Sequence, residues 1–175
     1  MAGYCKDSIE TNIIKMSGNR VNIFLVEDNE LYALILDEQL KNMANIKLTT
    51  YPSAEEAIKN LHLSPDLIIL DYYLEGMNGM DALKEIKNKN PNIPVIVLSS
   101  QKDTQVAVDT LQAGANNYFN KRKLHIGDLN SVINKVCSDK MTRENNFIFQ
   151  LKISKQNIFI LTLLLGLLGL IISIV

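Results

Sequence analysis

Cysteine is scarce and placed against any covalent or metal scaffold. Cys5 and Cys137 are the only two, far apart and without CxxC or metal-like neighbours, which argues against a disulfide framework and fits a reducing compartment. Neither GxGxxG nor GxxxxGK[ST] occurs, so the common glycine-rich nucleotide cradles are missing. An excess of one charge is missing as well. With 18 Lys and Arg against 19 Asp and Glu, bulk electrostatics does not advertise nucleic acid as a partner. The two histidines, His62 and His125, fall in or beside expected helices and away from strand ends, and read as surface or packing residues.

What is present is an alternating pattern. Residues 1–20 are mixed and polar and read as a flexible lead. Val21 to Val26 is an apolar run ending in Glu27 and Asp28, followed by a helix with Ala33, Leu36, Leu40 and Met43 at spacings of three and four. Ile46 to Tyr51 suits a second strand. Ser53 and Glu56 have capping-box spacing and start a helix carrying Ala57, Ile58 and Leu61.

Asp66-Leu67-Ile68-Ile69-Leu70-Asp71 is the central stretch, a fully apolar strand ending in a carboxylate, as in a parallel sheet buried on both faces. Gly76 and Gly79 mark the next turn, and Met80, Leu83 and Ile86 stripe a third helix. Pro91 and Pro94 frame the strand Val95 to Leu98, which ends at Ser99 and Ser100. A helix from about Asp103 to Ala113, a Gly114 stop and a short strand near Asn117 to Phe119 lead to Lys121. A last amphipathic helix carries Leu129, Val132, Ile133 and Val136. Five such alternations predict a doubly wound α/β fold with a five-stranded parallel sheet.

Ligands of such sheets bind at the carboxyl ends of the strands, and four strands deliver chemistry there: Glu27 and Asp28, Asp71, Ser99 and Lys121. Converging carboxylates repel and raise one another's pKa unless a cation neutralises them. Hard oxygens with vacant positions suit Mg²⁺, which accepts a phosphate oxygen, and a lysine and a hydroxyl opposite can hold the rest of a phosphoryl group. That assembly suits phosphoryl transfer to a carboxylate.

Val26-Glu27-Asp28-Asn29, Leu70-Asp71 with Gly79 eight residues on, Val97-Leu98-Ser99-Ser100, and Ala113-Gly114-Ala115 leading to Tyr118-Phe119-Asn120-Lys121 resemble the receiver domain of bacterial two-component response regulators. The resemblance spans about residues 20–138. It implies a flavodoxin-like sheet of order 2-1-3-4-5, with Asp71 as the phosphoacceptor served by a histidine kinase or phosphotransfer protein. It implies Mg²⁺ held by Glu27, Asp28, Asp71 and the main-chain carbonyl of Tyr73, with Ser99 and Lys121 on the phosphoryl group and Tyr118 as the aromatic switch. The expected chemistry is Mg²⁺-dependent self-phosphorylation and dephosphorylation rather than enzymatic turnover, and a homodimer through the receiver face is left open. Two positions depart from the family pattern. Arg122 and Glu75 stand where proline is usual, and a cis bond before a non-proline costs about 3 kcal/mol, so a trans link after Lys121 is expected. A haloacid-dehalogenase-type phosphatase is the enzyme alternative, but it needs Asp-x-Asp and Tyr73 takes the third place.

The tail changes character. Residues 139–157 read as a juxtamembrane linker in which Phe147, Phe149, Leu151 and Ile153 alternate with more polar positions, a pattern that admits both an interfacial segment and the frayed start of a longer transmembrane helix. From Ile158 to Val175 no residue is charged, and about 18 residues at 1.5 Å each give about 27 Å, close to a bilayer's hydrocarbon thickness. A single-pass transmembrane helix over 158–175 is therefore expected. Lys152 and Lys155 on its flank place residues 1–157 in the cytoplasm. No direct DNA binding is expected, because few soluble residues follow the last receiver helix. The rival to a signalling receiver is a phosphate-independent, membrane-anchored scaffold with the same fold.

Overall fold

The computed structural model describes the backbone of residues 20–174 apart from 42, 44, 45, 102 and 103, and the side chains in that range apart from 144 and 159–174. The chain divides into two units, Met1–Cys137 and Ser138–Val175. In the first, strands β1 (Val21–Val26), β2 (Ile46–Tyr51), β3 (Leu67–Asp71), β4 (Val95–Ser99) and β5 (Asn117–Asn120) form one parallel sheet in the order β2-β1-β3-β4-β5. Helices α1 (Glu30–Leu40), α2 (Ala54–Lys59), α3 (Gly79–Lys89) and α4 (Thr104–Gln112) connect them, and α5 (Ile126–Ile174) follows β5.

The period-two pleat sorts the strand residues into two cores. Val21, Ile23, Leu25, Leu67, Ile69, Ile96 and Leu98 pack with Ala33, Leu36 and Leu40 of α1 and Leu129, Ile133 and Val136 of α5. Phe24, Val26, Ile68, Leu70, Val95 and Val97 pack on the other face with Ala57 and Ile58 of α2 and Leu83 and Ile86 of α3. Every residue of β3 and β4 is buried, because both are flanked by strands and covered on both faces. The edge strands β2 and β5 are more exposed, with only Tyr51 of the ten fully buried.

Three helices start on side-chain caps that the sequence supplies. Asn29 Oδ1 accepts from the Tyr32 N–H at 2.9 Å, Ser53 Oγ from Glu56 N–H at 3.3 Å, and Asn78 Oδ1 from Asp81 N–H at 3.0 Å. All three caps follow the carboxyl end of a strand, so each fixes where the chain leaves that edge of the sheet.

Of the lead expected over residues 1–20, all but Arg20 lies outside the described residues, as does Cys5. Of the membrane segment expected over 158–175, the backbone is helical through Ile174, while the side chains of 159–174 and all of residue 175 lie outside the described ones. Among the described residues, no helix is long and apolar enough to cross a membrane. In the second unit, the stretch expected as a linker, 139–157, is helical. It contains neither glycine nor proline, so nothing local stops the helix. The alternating Phe147, Phe149, Leu151 and Ile153 therefore fall on different sides of a helix rather than on one face of a strand, and all four are exposed.

Candidate phosphoryl-acceptor site

Strand register explains why three acids and a lysine meet. Val26 pairs with Leu70 and Asp71 with Leu98, so Glu27, one residue past β1, stands level with Asp71. Asp71 and Glu27 continue the face of the sheet that α1 and α5 cover, whereas Ser99 continues the opposite face. Lys121, two residues beyond Phe119, shares the first face.

On that face the contacts are short. The Lys121 ammonium donates to Glu27 Oε1 at 2.9 Å and Oε2 at 2.6 Å, and to Asp71 Oδ2 at 2.7 Å. Glu27 is 2% exposed and Asp71 4%, so removing this cation would leave buried carboxylates unpaired. Burial pushes Glu27 up to about 7, against the pull of Lys121 and with a further push from Asp71. One carboxylate oxygen from each of Glu27, Asp28 and Asp71 falls within 4.8 Å of the others, a separation a single cation can bridge. Three hard oxygens around an already strained buried acid fit Mg²⁺, with Glu27, Asp28 and Asp71 as the side chains that would hold it.

The loops after β3 and β5 hold the remaining groups. Tyr73 N–H donates to Asp71 Oδ1 at 3.2 Å, and the Tyr73 ring is partly exposed. Tyr73, Tyr32, Asn29, Asp28, Ser100 and Arg122 line an open cavity of about 410 Å³ above Asp71. Ser99 is fully buried, and its Oγ accepts from Gln101 N–H at 3.4 Å. The Gln101 carbonyl accepts from Tyr118 Oη at 3.3 Å and from Asn120 Nδ2 at 2.7 Å, which ties the loop after β4 to β5.

The site thus brings Glu27, Asp28, Asp71 and Lys121 together. Ser99 and Tyr118 are set apart on the other face. The two departures from proline acquire a reason. Glu75 N–H donates to Asp28 Oδ2 at 3.0 Å, and Arg122 N–H to Asn120 Oδ1 at 3.0 Å, donors that proline lacks. The peptide between Lys121 and Arg122 is trans, and Lys121 still reaches both acids.

One position at the site, Tyr32, escaped the reading of the sequence, and a second, Gly79, was read only as a turn and motif glycine. Tyr32, one turn after the acid pair, places its ring centroid 4.5 Å from the Lys121 ammonium. Its spacing from Asp28 was the only available signal. Gly79 donates its N–H to the Tyr72 carbonyl at 2.9 Å. A Cβ there would lie 2.5 Å from the Asp71 carbonyl oxygen and 2.6 Å from Tyr72 Cα. The glycine is required by close approach of α3 to the chain leaving Asp71.

Comparison with known proteins agrees with this geometry. Residues 23–134 match the family model described as the response regulator receiver domain. The chain is 32% identical over 99 residues to the DNA-binding transcriptional regulator NtrC of Klebsiella pneumoniae, covering 56% of this chain and 21% of NtrC. It is 36% identical over 99 residues to the transcriptional regulatory protein CssR of Bacillus subtilis, covering 57% of this chain and 44% of CssR. The chain therefore matches less than half the length of either relative. The receiver domain of NtrX from Brucella abortus superposes with a TM-score of 0.60 at 25% identity, covering 65% of this chain and 96% of that one. The receiver domain of Francisella response regulator 1452 superposes with a TM-score of 0.61 at 23% identity, covering 68% and 98%, and shows the same fold. With its sheet order, its acid cluster at the sheet edge and a family match over most of the first unit, this chain belongs to the response regulator receiver domain family.

Proposed function

We propose that the chain is a phosphorylation-dependent signalling receiver in which Asp71 accepts a phosphoryl group from a histidine kinase or phosphotransfer protein. The observation that carries this reading is the Asp71 carboxylate, held 2.7 Å from the Lys121 ammonium and within reach of the Glu27 and Asp28 oxygens. An Asp71 oxygen attacks phosphorus, the phosphorus–nitrogen bond of the donor phosphohistidine breaks, and the imidazole leaves with that electron pair and takes up a proton. The product is an acyl phosphate. Mg²⁺ bound by Glu27, Asp28, Asp71 and the Tyr73 carbonyl would neutralise the carboxylates and one phosphoryl oxygen. Lys121 pairs with a second phosphoryl oxygen and Ser99 donates to another.

Drawing Ser99 toward the phosphate weakens its bond from the Gln101 N–H, and the Tyr118 ring, whose hydroxyl is bound to the carbonyl of that residue, turns inward. The α4–β5–α5 surface changes with it, and a homodimer through that face is one readout. The protein acts as a phosphoacceptor with self-phosphorylation and dephosphorylation chemistry, not as a turnover enzyme. Residues 158–175, free of charged side chains, anchor it in a membrane, and the exposed Lys152 and Lys155 before them keep residues 1–157 on the cytoplasmic side. Digestion of the receiver by protease in right-side-out vesicles would contradict that orientation.

Incubation with Mg²⁺ and acetyl phosphate tests the chemistry. The full chain gains the mass of one phosphoryl group, and Asp71→Asn gains none. Absence of modification by acetyl phosphate and by any kinase tested would favour a phosphate-independent scaffold.

A further inference from the structure

We infer that Tyr32 is a positioning residue for Lys121: its ring face holds the lysine ammonium at the point where it bridges Asp71 and Glu27. This rests on the phosphoacceptor reading and adds to it a residue outside the acid, hydroxyl and lysine set.

A lysine side chain is a point charge on a flexible four-carbon stem, so two carboxylates fix where it binds but not from which side. At 4.5 Å from the ring centroid, the ammonium lies over the Tyr32 ring within cation–π range, a third contact beside the two carboxylates. The ring is itself fixed. Its backbone N–H is bound by the Asn29 cap at 2.9 Å, and its side chain packs against the core under α1. Tyr32 therefore presents an aromatic face whose seat is set by the α1 cap and the core rather than by the acids.

That constancy gives the ring its role. Before transfer, Lys121 is shared between Glu27 and Asp71. Once Asp71 becomes an acyl phosphate, its bonded oxygen loses its charge and the negative charge moves outward onto the phosphoryl oxygens, so the ammonium must shift from the carboxylate to a phosphoryl oxygen while Glu27 still holds its other side. The ring holds Lys121 beside position 71 through this change.

The full chain is compared with Tyr32→Phe, which keeps the ring, and with Tyr32→Leu and Tyr32→Met, which keep bulk without it. Two signals are read: the rate of phosphorylation by acetyl phosphate at saturating Mg²⁺, and the Lys121 Hε resonance, which the ring current displaces upfield. The rate is expected to fall about fivefold in Tyr32→Leu and Tyr32→Met and to stay within about twofold in Tyr32→Phe. The upfield displacement is expected to be lost in the first two and kept in the third, with Mg²⁺ affinity within about twofold throughout. Wild-type rates and an unmoved Lys121 resonance in Tyr32→Leu and Tyr32→Met would overturn the inference. Equal losses in Tyr32→Phe, which implicate the hydroxyl, or a parallel loss of Mg²⁺ affinity would also overturn it. If the wild type takes up no phosphoryl group, the phosphoacceptor reading fails, while the Lys121 resonance still decides whether the ring holds the ammonium.

Discussion

Asp71 has two unlike flanks. On the face covered by α1 and α5, Glu27 and Lys121 lie within short contact and Tyr32 closes over them. On the opposite face, Ser99 is held by one long bond from Gln101, and Tyr118 by another to the Gln101 carbonyl. The first flank is assembled before any phosphoryl group arrives, whereas the second hangs on a single loop residue. A receiver needs both properties, a site that is ready and a surface that is still able to move, and the pleat of the sheet separates them by residue parity.

The largest expected effect comes from dismantling the assembled flank. Lys121→Ala leaves Glu27 and Asp71 buried without their cation and is expected to cost about 3 kcal/mol in urea unfolding at pH 8. A loss under about 1 kcal/mol would mean that the flank is not preassembled in solution. Gly79→Ala drives a methyl into the chain leaving Asp71 and is expected to cost about 2 kcal/mol in the same assay. An unchanged unfolding midpoint would refute the close approach.

Glu27→Gln sharpens the contrast through pH. Because burial raises Glu27 from 4.5 to about 7, the unfolded chain releases this proton first as pH rises between those values. Over that window the folded state binds more protons, so the stability of the wild type relative to Glu27→Gln falls with rising pH. A relative stability that climbs over the same window would show that the carboxyl is not raised. The smallest effect on stability belongs to the Ser99 flank. Ser99→Ala removes only a 3.4 Å bond and is expected to cost less than about 1 kcal/mol. Its Tyr118 ring resonances should no longer respond to phosphodonor, and a retained response would show that Ser99 is not the link.

Much of this was legible in residue order. Apolar runs ending in Glu27, Asp71 and Ser99 mark strand ends because a buried strand can afford polar groups only where it leaves the core. The alternation of strands and helices gives the parallel sheet. The ring contact of Tyr32 was not legible, since it depends on how α1 sits over the sheet edge. Glu75 and Arg122 read as losses of proline. The gain of two N–H donors shows only when Asp28 and Asn120 are seen beside them. For residues 139–157 the sequence left open an interfacial segment or the start of a longer helix, and the backbone is helical throughout, since a two-residue pattern says little once nothing local interrupts the helix.

The close seat of Gly79 also fixes a length. Its N–H meets the Tyr72 carbonyl while its missing Cβ clears the Asp71 carbonyl, so the path from acceptor to helix is measured in whole residues. Adding or removing one residue between Leu74 and Asn78 would present a side chain where only hydrogen fits. The β3–α3 loop should therefore tolerate a one-residue insertion poorly.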